Sequence, residues 1–222
     1  MKEMEELRRE LTLMAGKVHE NLGKSLNILK TGNDELADEV KNTGKIIDEM
    51  QLRIEDMVMV LIATQQPVAS MLRELVTVFK LATNLERIDD YGIHLTKAAI
   101  KLSDRPALLS TERIERMAET GQEMLKTAFS AYLARDNNSA REAAALDARI
   151  DKDHKALTDE VLVFIKEKPD LAKPAARLLR LSGHMERLGD HITNICEAIV
   201  YMTEGSHEEL NPVRLSPDVL SK

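Results

Sequence analysis

The sequence predicts an all-α protein built from two tandem three-helix bundles, six long antiparallel helices in all. Apolar residues recur at helical steps through six long segments, and no β pattern interrupts them. Aromatic residues make up only 3% of the chain and Trp is absent, which leaves the core to Leu, Ile, Val, Met and Ala, the mix of helix bundles. One short string also occurs twice. It reads Glu86-Arg87-Ile88-Asp89-Asp90-Tyr91 in the first half and Glu186-Arg187-Leu188-Gly189-Asp190-His191 in the second.

The first segment runs from about Met4 to Lys30 and ends at Thr31-Gly32-Asn33. The second begins near Asp34, carries Val40, Ile47, Met50, Ile54, Met57 and Leu61 at helical steps, and stops before Pro67, because the residue preceding a proline is biased away from the α region. The third spans Val68 to about Ser103, with Leu81, Leu85, Ile88, Gly92, Leu95, Ala99 and Leu102 as its stripe, and Asp104-Arg105-Pro106 closes the half. A fourth helix starts near Ser110 or Thr111 and runs to Arg135. After the turn Asp136-Asn137-Asn138, the capping-box pattern from Ser139 to Glu142 predicts a new helix start. That fifth helix turns Leu146, Ile150, Leu157, Val161 and Phe164 inward and ends before Pro169. The sixth runs from about Leu171 to Thr203, with Pro174 in its first turn, where a missing N–H costs little, and Leu181, Met185, Leu188, Ile192, Ile195, Ile199 and Met202 as its stripe. The resulting division is 1–106, 107–205 and a loose tail over 206–222. Helices of about 30 residues are about 45 Å long, and short turns between them make antiparallel neighbours. A single continuous coiled coil is disfavoured by the breaks at Pro67, Pro106 and Pro169.

Composition narrows the function. A net charge of −7 and scarce aromatics argue against nucleic-acid binding, which needs a basic face and stacking rings. The single Cys196 rules out an internal disulfide framework and fits a reducing compartment. Met1 to Glu10 are mostly charged, unlike a secretory signal, and the longest uncharged run, Met57 to Leu72, falls short of the ~20 residues of a membrane span. The chain reads as cytoplasmic, with no membrane span.

The repeated string places carboxylates at i and i+4, which point the same way from a helix and repel by a few tenths of a kcal/mol. Glu86 and Asp90 lie roughly 100–180° from the centre of their apolar stripe, and Glu186 and Asp190 occupy the same angles. Asn194 extends the second line, followed by Glu197; His94 and Lys97 are the first-half equivalents. The fifth helix adds Asp147 and Asp151, again four apart and flanking the stripe. If the fifth and sixth helices are antiparallel neighbours, four carboxylates and the Asn194 amide oxygen can converge. Such an oxygen-rich set suits Mg²⁺, Mn²⁺ or iron, and bridging carboxylates favour more than one ion. The first half is poorer: Gly44 stands at the Asp147 position, leaving Asp48, with Gln51 and Glu55 further on. Acidic residues on a helix exterior are ordinarily a solvated face, and Arg87 and Arg187 can neutralise them as surface pairs. Repetition at matched angles is what singles these out.

Other candidates carry less. His154, His184 and His191 lie near the second-half acids but read as surface or capping residues, Cys196 as a small buried residue, and the eleven methionines as core filler. Asp151-x-x-His154 has no second inward-facing copy, as a di-iron bundle would require. No phosphate-binding loop, nucleophile elbow or H-E-x-x-H motif occurs.

The acid strings sit within Ala82-Thr83-Asn84-Leu85-Glu86-Arg87-Ile88-Asp89-Asp90-Tyr91 and Gly183-His184-Met185-Glu186-Arg187-Leu188-Gly189-Asp190-His191-Ile192-Thr193-Asn194-Ile195. The first follows Gln66-Pro67-Val68-Ala69-Ser70-Met71-Leu72-Arg73. In this the chain resembles the PhoU family from about Leu7 to Glu204. The resemblance implies two three-helix bundles and multinuclear metal clusters, iron first, with zinc, manganese or magnesium as alternatives. The implied ligands are Glu86, Asp90, Glu186, Asp190, Asp147 and Asp151, with Asp48 the survivor of its pair. Departures are His94 in the place of Asn194, Asp89 in the place of Gly189, and Gly44. The resemblance further implies a non-enzymatic, homodimeric negative regulator of phosphate uptake, acting between the ATPase subunit of a phosphate ABC transporter and a sensor histidine kinase. The competing functions are a metal-dependent phosphohydrolase and a purely structural helical scaffold.

Overall fold

The structure is a computed structural model that describes residues 2–103 and 110–211. Among them no strand occurs, and the helices follow in order: α1 (Lys2–Thr31), α2 (Ala37–Gln65), α3 (Ala69–Ser103), α4 (Glu112–Ala134), α5 (Asn137–Ala145), α6 (Asp147–Glu167) and α7 (Ala172–Glu204), with a single 3-10 turn at Pro169–Leu171. The predicted closing turn Asp104-Arg105-Pro106 lies outside the described residues.

The breaks have local causes. Gly32 takes a φ of 68° after α1, and Gln66 a φ of 45° before Pro67, so each chain reversal uses the left-handed region. The predicted fifth helix is two segments, α5 and α6, meeting at Leu146. It also begins earlier than the capping box suggested. Asp136, in an extended conformation, accepts hydrogen bonds from Asn138 N (3.0 Å) and Ser139 N (3.3 Å), and the Ser139 hydroxyl donates to Asp136 Oδ2 (2.6 Å). A carboxylate at that cap accepts from two otherwise unpaired N–H groups, so it outcompetes the serine.

Helices α1, α2 and α3 form one bundle, and α4, α5/α6 and α7 the other. The bundles are joined along α3 and α7, and by α1 against α4. Thr77 Oγ1 donates to Ala198 O (3.2 Å), His191 Nδ1 meets Asn84 Oδ1 (2.9 Å) and His94 stacks on His184 (4.7 Å), so α3 and α7 run antiparallel over most of their length. The predicted stripe residues Leu81, Leu85, Ile88, Leu95 and Ala99 of α3, and all seven of α7, are buried. The resulting core is continuous across both repeats. Buried Glu74 of α3 clamps the joint: its carboxylate takes Arg8 Nε of α1 (2.6 Å) and Arg135 Nη2 at the end of α4 (2.5 Å).

Candidate functional site

The antiparallel pairing of α3 and α7 places the two acid strings near the middle of the molecule. In the first half, α2 contributes Asp48 and α3 contributes Glu86, Asp89 and Asp90. Burial, reinforced by the charges of Asp90 and Asp48, raises the Glu86 pKa against the pull of Arg87. Burial and then the Asp90 charge raise Asp48. Asp89 is pushed up to about 7, chiefly by burial, although a hydrogen bond from Asn21 Nδ2 (2.8 Å) opposes the shift. Glu86, Asp48 and Asp89 therefore all resist ionisation, the electrostatic condition that a bound cation relieves. Arg87 partly fills that role, with Nε 3.3 Å from Glu86 and Nη1 3.7 Å from Asp90.

Asp89 is the residue that sequence reading passed over. It is only 3% exposed, and its Oδ2 lies 3.1 Å from where a Cβ on Gly44 would stand. In the second half the roles are exchanged. Asp147 of α6 is 1% exposed, and its Oδ1 lies 2.1 Å from where a Cβ on Gly189 of α7 would stand. Gly44 and Asp147 hold matching positions in the two repeats, as do Asp89 and Gly189. Each repeat thus buries one carboxylate against one glycine at the same helix–helix contact, but delivers it from opposite helices. Gly44 had read as a lost acid; the carboxylate is supplied by Asp89 instead. The signal was present in the sequence as two departures that are reciprocal.

In the second half, Asp147 does not merely flank its stripe, as predicted, but is enclosed. Asn211 Nδ2 donates to its Oδ2 (2.6 Å). Asp190, Asn194 and Glu197 of α7 line a cleft of about 860 Å³ shared with Lys80 and Asn84 of α3. Residues 206–211, read from sequence as the start of a tail, close one side of this cleft. Leu210 N donates to Glu197 Oε1 (3.0 Å), His207 stacks on Tyr201 (4.3 Å), and Arg141 bridges Glu204 and Glu208. Asp151 and Glu186 are half-buried, on α6 and α7 respectively.

The carboxylate oxygens match a hard cation chemically. As the side chains stand, no three His, Cys, Asp or Glu among the described residues are arranged to hold a metal ion. Arg87 and Asn211 occupy oxygens that a metal would claim. The histidines are engaged elsewhere: His154 Nδ1 meets Ser182 Oγ (2.7 Å), His191 meets Asn84, and His184 packs on His94. Cys196 is fully buried, and burial pushes its thiol up to about 12, so it stays protonated and packs as a small apolar group.

Fold and site together define a duplicated helical-bundle protein carrying one acid string per repeat. The PhoU domain model matches residues 11–99 and 114–199. The chain is 30% identical over 210 residues to a phosphate-specific transport system accessory protein PhoU homolog of Clostridium acetobutylicum, covering 94% of this chain and 96% of that one. It is 32% identical to the homolog of Caulobacter vibrioides, covering 99% and 95%. The crystal structure of PhoU from Pseudomonas aeruginosa superposes with a TM-score of 0.87 at 27% identity, covering 92% of this chain and 99% of that one. The chain belongs to the PhoU domain family. No described helix is long and apolar enough to cross a membrane.

Proposed function

We propose that this protein is an accessory regulator of a phosphate-specific transport system, working by binding rather than by chemistry. The observation that carries the reading is whole-length correspondence, through both repeats, to relatives named as accessory proteins of that system. In this reading the chain acts in the cytoplasm as a homodimer and restrains phosphate uptake and starvation signalling. Its partners are the ATPase subunit of the transporter and a sensor histidine kinase, and its repeats divide near residue 106. Glu86, Asp90, Asp89 and Asp48 hold metal in the first half, and Glu186, Asp190, Asp147, Asp151 and Asn194 in the second. Iron is the leading ion, ahead of zinc, manganese and magnesium.

Two features support a docking role. Three carboxylates that resist ionisation, Glu86, Asp89 and Asp48, are poised for a cation. In addition, α2 and α6 expose matched apolar pairs, Met59-Val60 and Leu162-Val163, each residue more than half exposed. Apolar side chains exposed at equivalent places in the two repeats suit protein contacts.

The test is complementation. In cells lacking the protein, the wild-type chain restores repression of a phosphate-starvation reporter, and Glu186→Ala/Asp190→Ala does not. Elemental analysis of the two purified proteins should show less bound metal in the variant. Full repression by a variant that binds no metal refutes a metal-dependent regulator.

A further inference from the structure

The groove between α3 and α7 has two ends, exchanged by the internal repeat. At one end lies the acidic cleft already described. At the other, a pocket of about 300 Å³ is lined by His94, Lys97 and Lys101 of α3 and by Arg177, Arg180 and His184 of α7, with no carboxylate in its wall. In a chain of net charge −7, four permanent cations converge there without an acid. Among the described residues, none of the four is held in an ion pair. Uncompensated like charges repel, so this arrangement costs stability unless something anionic enters.

Comparison with the other end shows that the internal repeat does not itself impose these charges. The repeat places Glu197 where Lys97 stands, Tyr201 where Lys101 stands and Thr77 where Arg177 stands; only Lys80 keeps the positive charge of Arg180. The backbone frame is shared, so the basic character belongs to this end alone. The positive potential also acts on His94, whose pKa is lowered by burial and then by Lys97 and Arg180, with Asp90 opposing. The His94 and His184 rings, stacked at 4.7 Å, close one wall and present ring nitrogens that can donate hydrogen bonds.

The geometry points to this pocket as a binding site for a compact, multiply charged phosphoryl anion, a di- or triphosphate group. Guanidinium forks match phosphoryl oxygens two at a time, and ammonium groups add point charge. A lone phosphate, at about two negative charges, leaves about half the cationic charge unmatched, whereas a chain of two or three phosphoryl groups balances it. The volume is at the lower end of small-molecule sites, which fits a short chain and not a long polymer. This site shares no residue with the acid strings, so it stands or falls apart from the metal reading.

The experiment is calorimetric titration of the full-length, metal-stripped protein with inorganic triphosphate, phosphate, sulfate and ATP at matched ionic strength. Triphosphate is expected to bind about tenfold or more tighter than phosphate or sulfate. Arg177→Gln/Arg180→Gln should weaken it by about tenfold or more, and Lys80→Gln, at the other end of the groove, should leave it unchanged. If the double variant has a lowered melting temperature, Lys97→Gln and Lys101→Gln, both at exposed positions, serve instead, with the same loss expected. ATP binding tighter than triphosphate identifies the source as a nucleotide; equal or weaker binding identifies an inorganic chain. Triphosphate affinity no better than that of sulfate, or undiminished in these variants, overturns the proposal.

Discussion

Asp89→Asn tests the buried first-half carboxylate directly. The pKa of Asp89 rises from 3.8 to about 7 on folding. A carboxyl of this kind holds its proton more tightly in the native chain than in the unfolded one. Its neutral form is accommodated at low pH, and the native state is penalised as pH climbs from about 4 through about 7. At about 1.4 kcal/mol per unit the full penalty is about 4 kcal/mol, of which about 2–3 kcal/mol develops between about pH 5 and about pH 8. Asparagine keeps the oxygen that accepts from Asn21 Nδ2 and never ionises. Urea denaturation of chelator-treated protein should therefore show the variant gaining about 2–3 kcal/mol on wild type between those two pH values. A divalent cation bound by the acid cluster neutralises Asp89 and should erase most of the wild-type slope while leaving the variant unmoved. A stability difference between the two proteins that is the same at both pH values refutes the burial argument.

The reciprocal exchange predicts strong coupling: Gly44→Asp and Asp89→Gly should each destabilise alone, while the double variant, which copies the second-half pattern, recovers about 1–3 kcal/mol in a urea double-mutant cycle. Glu74→Gln should cost about 1–3 kcal/mol at neutral pH by weakening the clamp between α1, α3 and α4. The two arginines hold the Glu74 carboxyl below its ordinary 4.5, against burial, so the stability it provides is present above that value and lost as pH falls through its native pKa; the variant should lack that acid limb in a pH-resolved melt. With Mn²⁺ added, the protein should show no turnover of p-nitrophenyl phosphate; metal-dependent hydrolysis abolished by Glu186→Ala/Asp190→Ala would establish a phosphohydrolase instead.

Much of the fold could be read from periodicity because helices of this length bury a wide apolar stripe, and a stripe is a property of one segment alone. Leu181, Met185, Leu188, Ile192, Ile195, Ile199 and Met202 all lie in the core as their spacing demands. The misreadings concern contacts between segments. The break at Leu146 has no Gly or Pro to announce it, and Asp136 displaces Ser139 as the cap through bonds that only the folded turn brings together. Asp147 looked like a flank residue because a helix wheel contains no partner. Its burial depends on Gly189 across the interface, which leaves room for the carboxylate.

The same reasoning explains why the acid site could be only half read. A wheel marks Glu86 and Asp90 as outward, yet Glu86 keeps only 15% of its side-chain exposure because it lies near α2, while Asp90 keeps 43%. Asp89 sits between them in sequence and appeared to be a departure from the repeat. Taken with Gly44, the departure is a substitution of source: the contact between the second and third helices of each repeat retains one buried carboxylate and one glycine, whichever helix provides which. A buried acid costs stability in the metal-free chain, as the raised pKa of Asp89 shows. Two unlike solutions that keep such a costly group at the same spot are hard to explain by packing alone, since an apolar residue would fill the space at less cost. They are accounted for if the carboxylate at that contact serves the function of both halves.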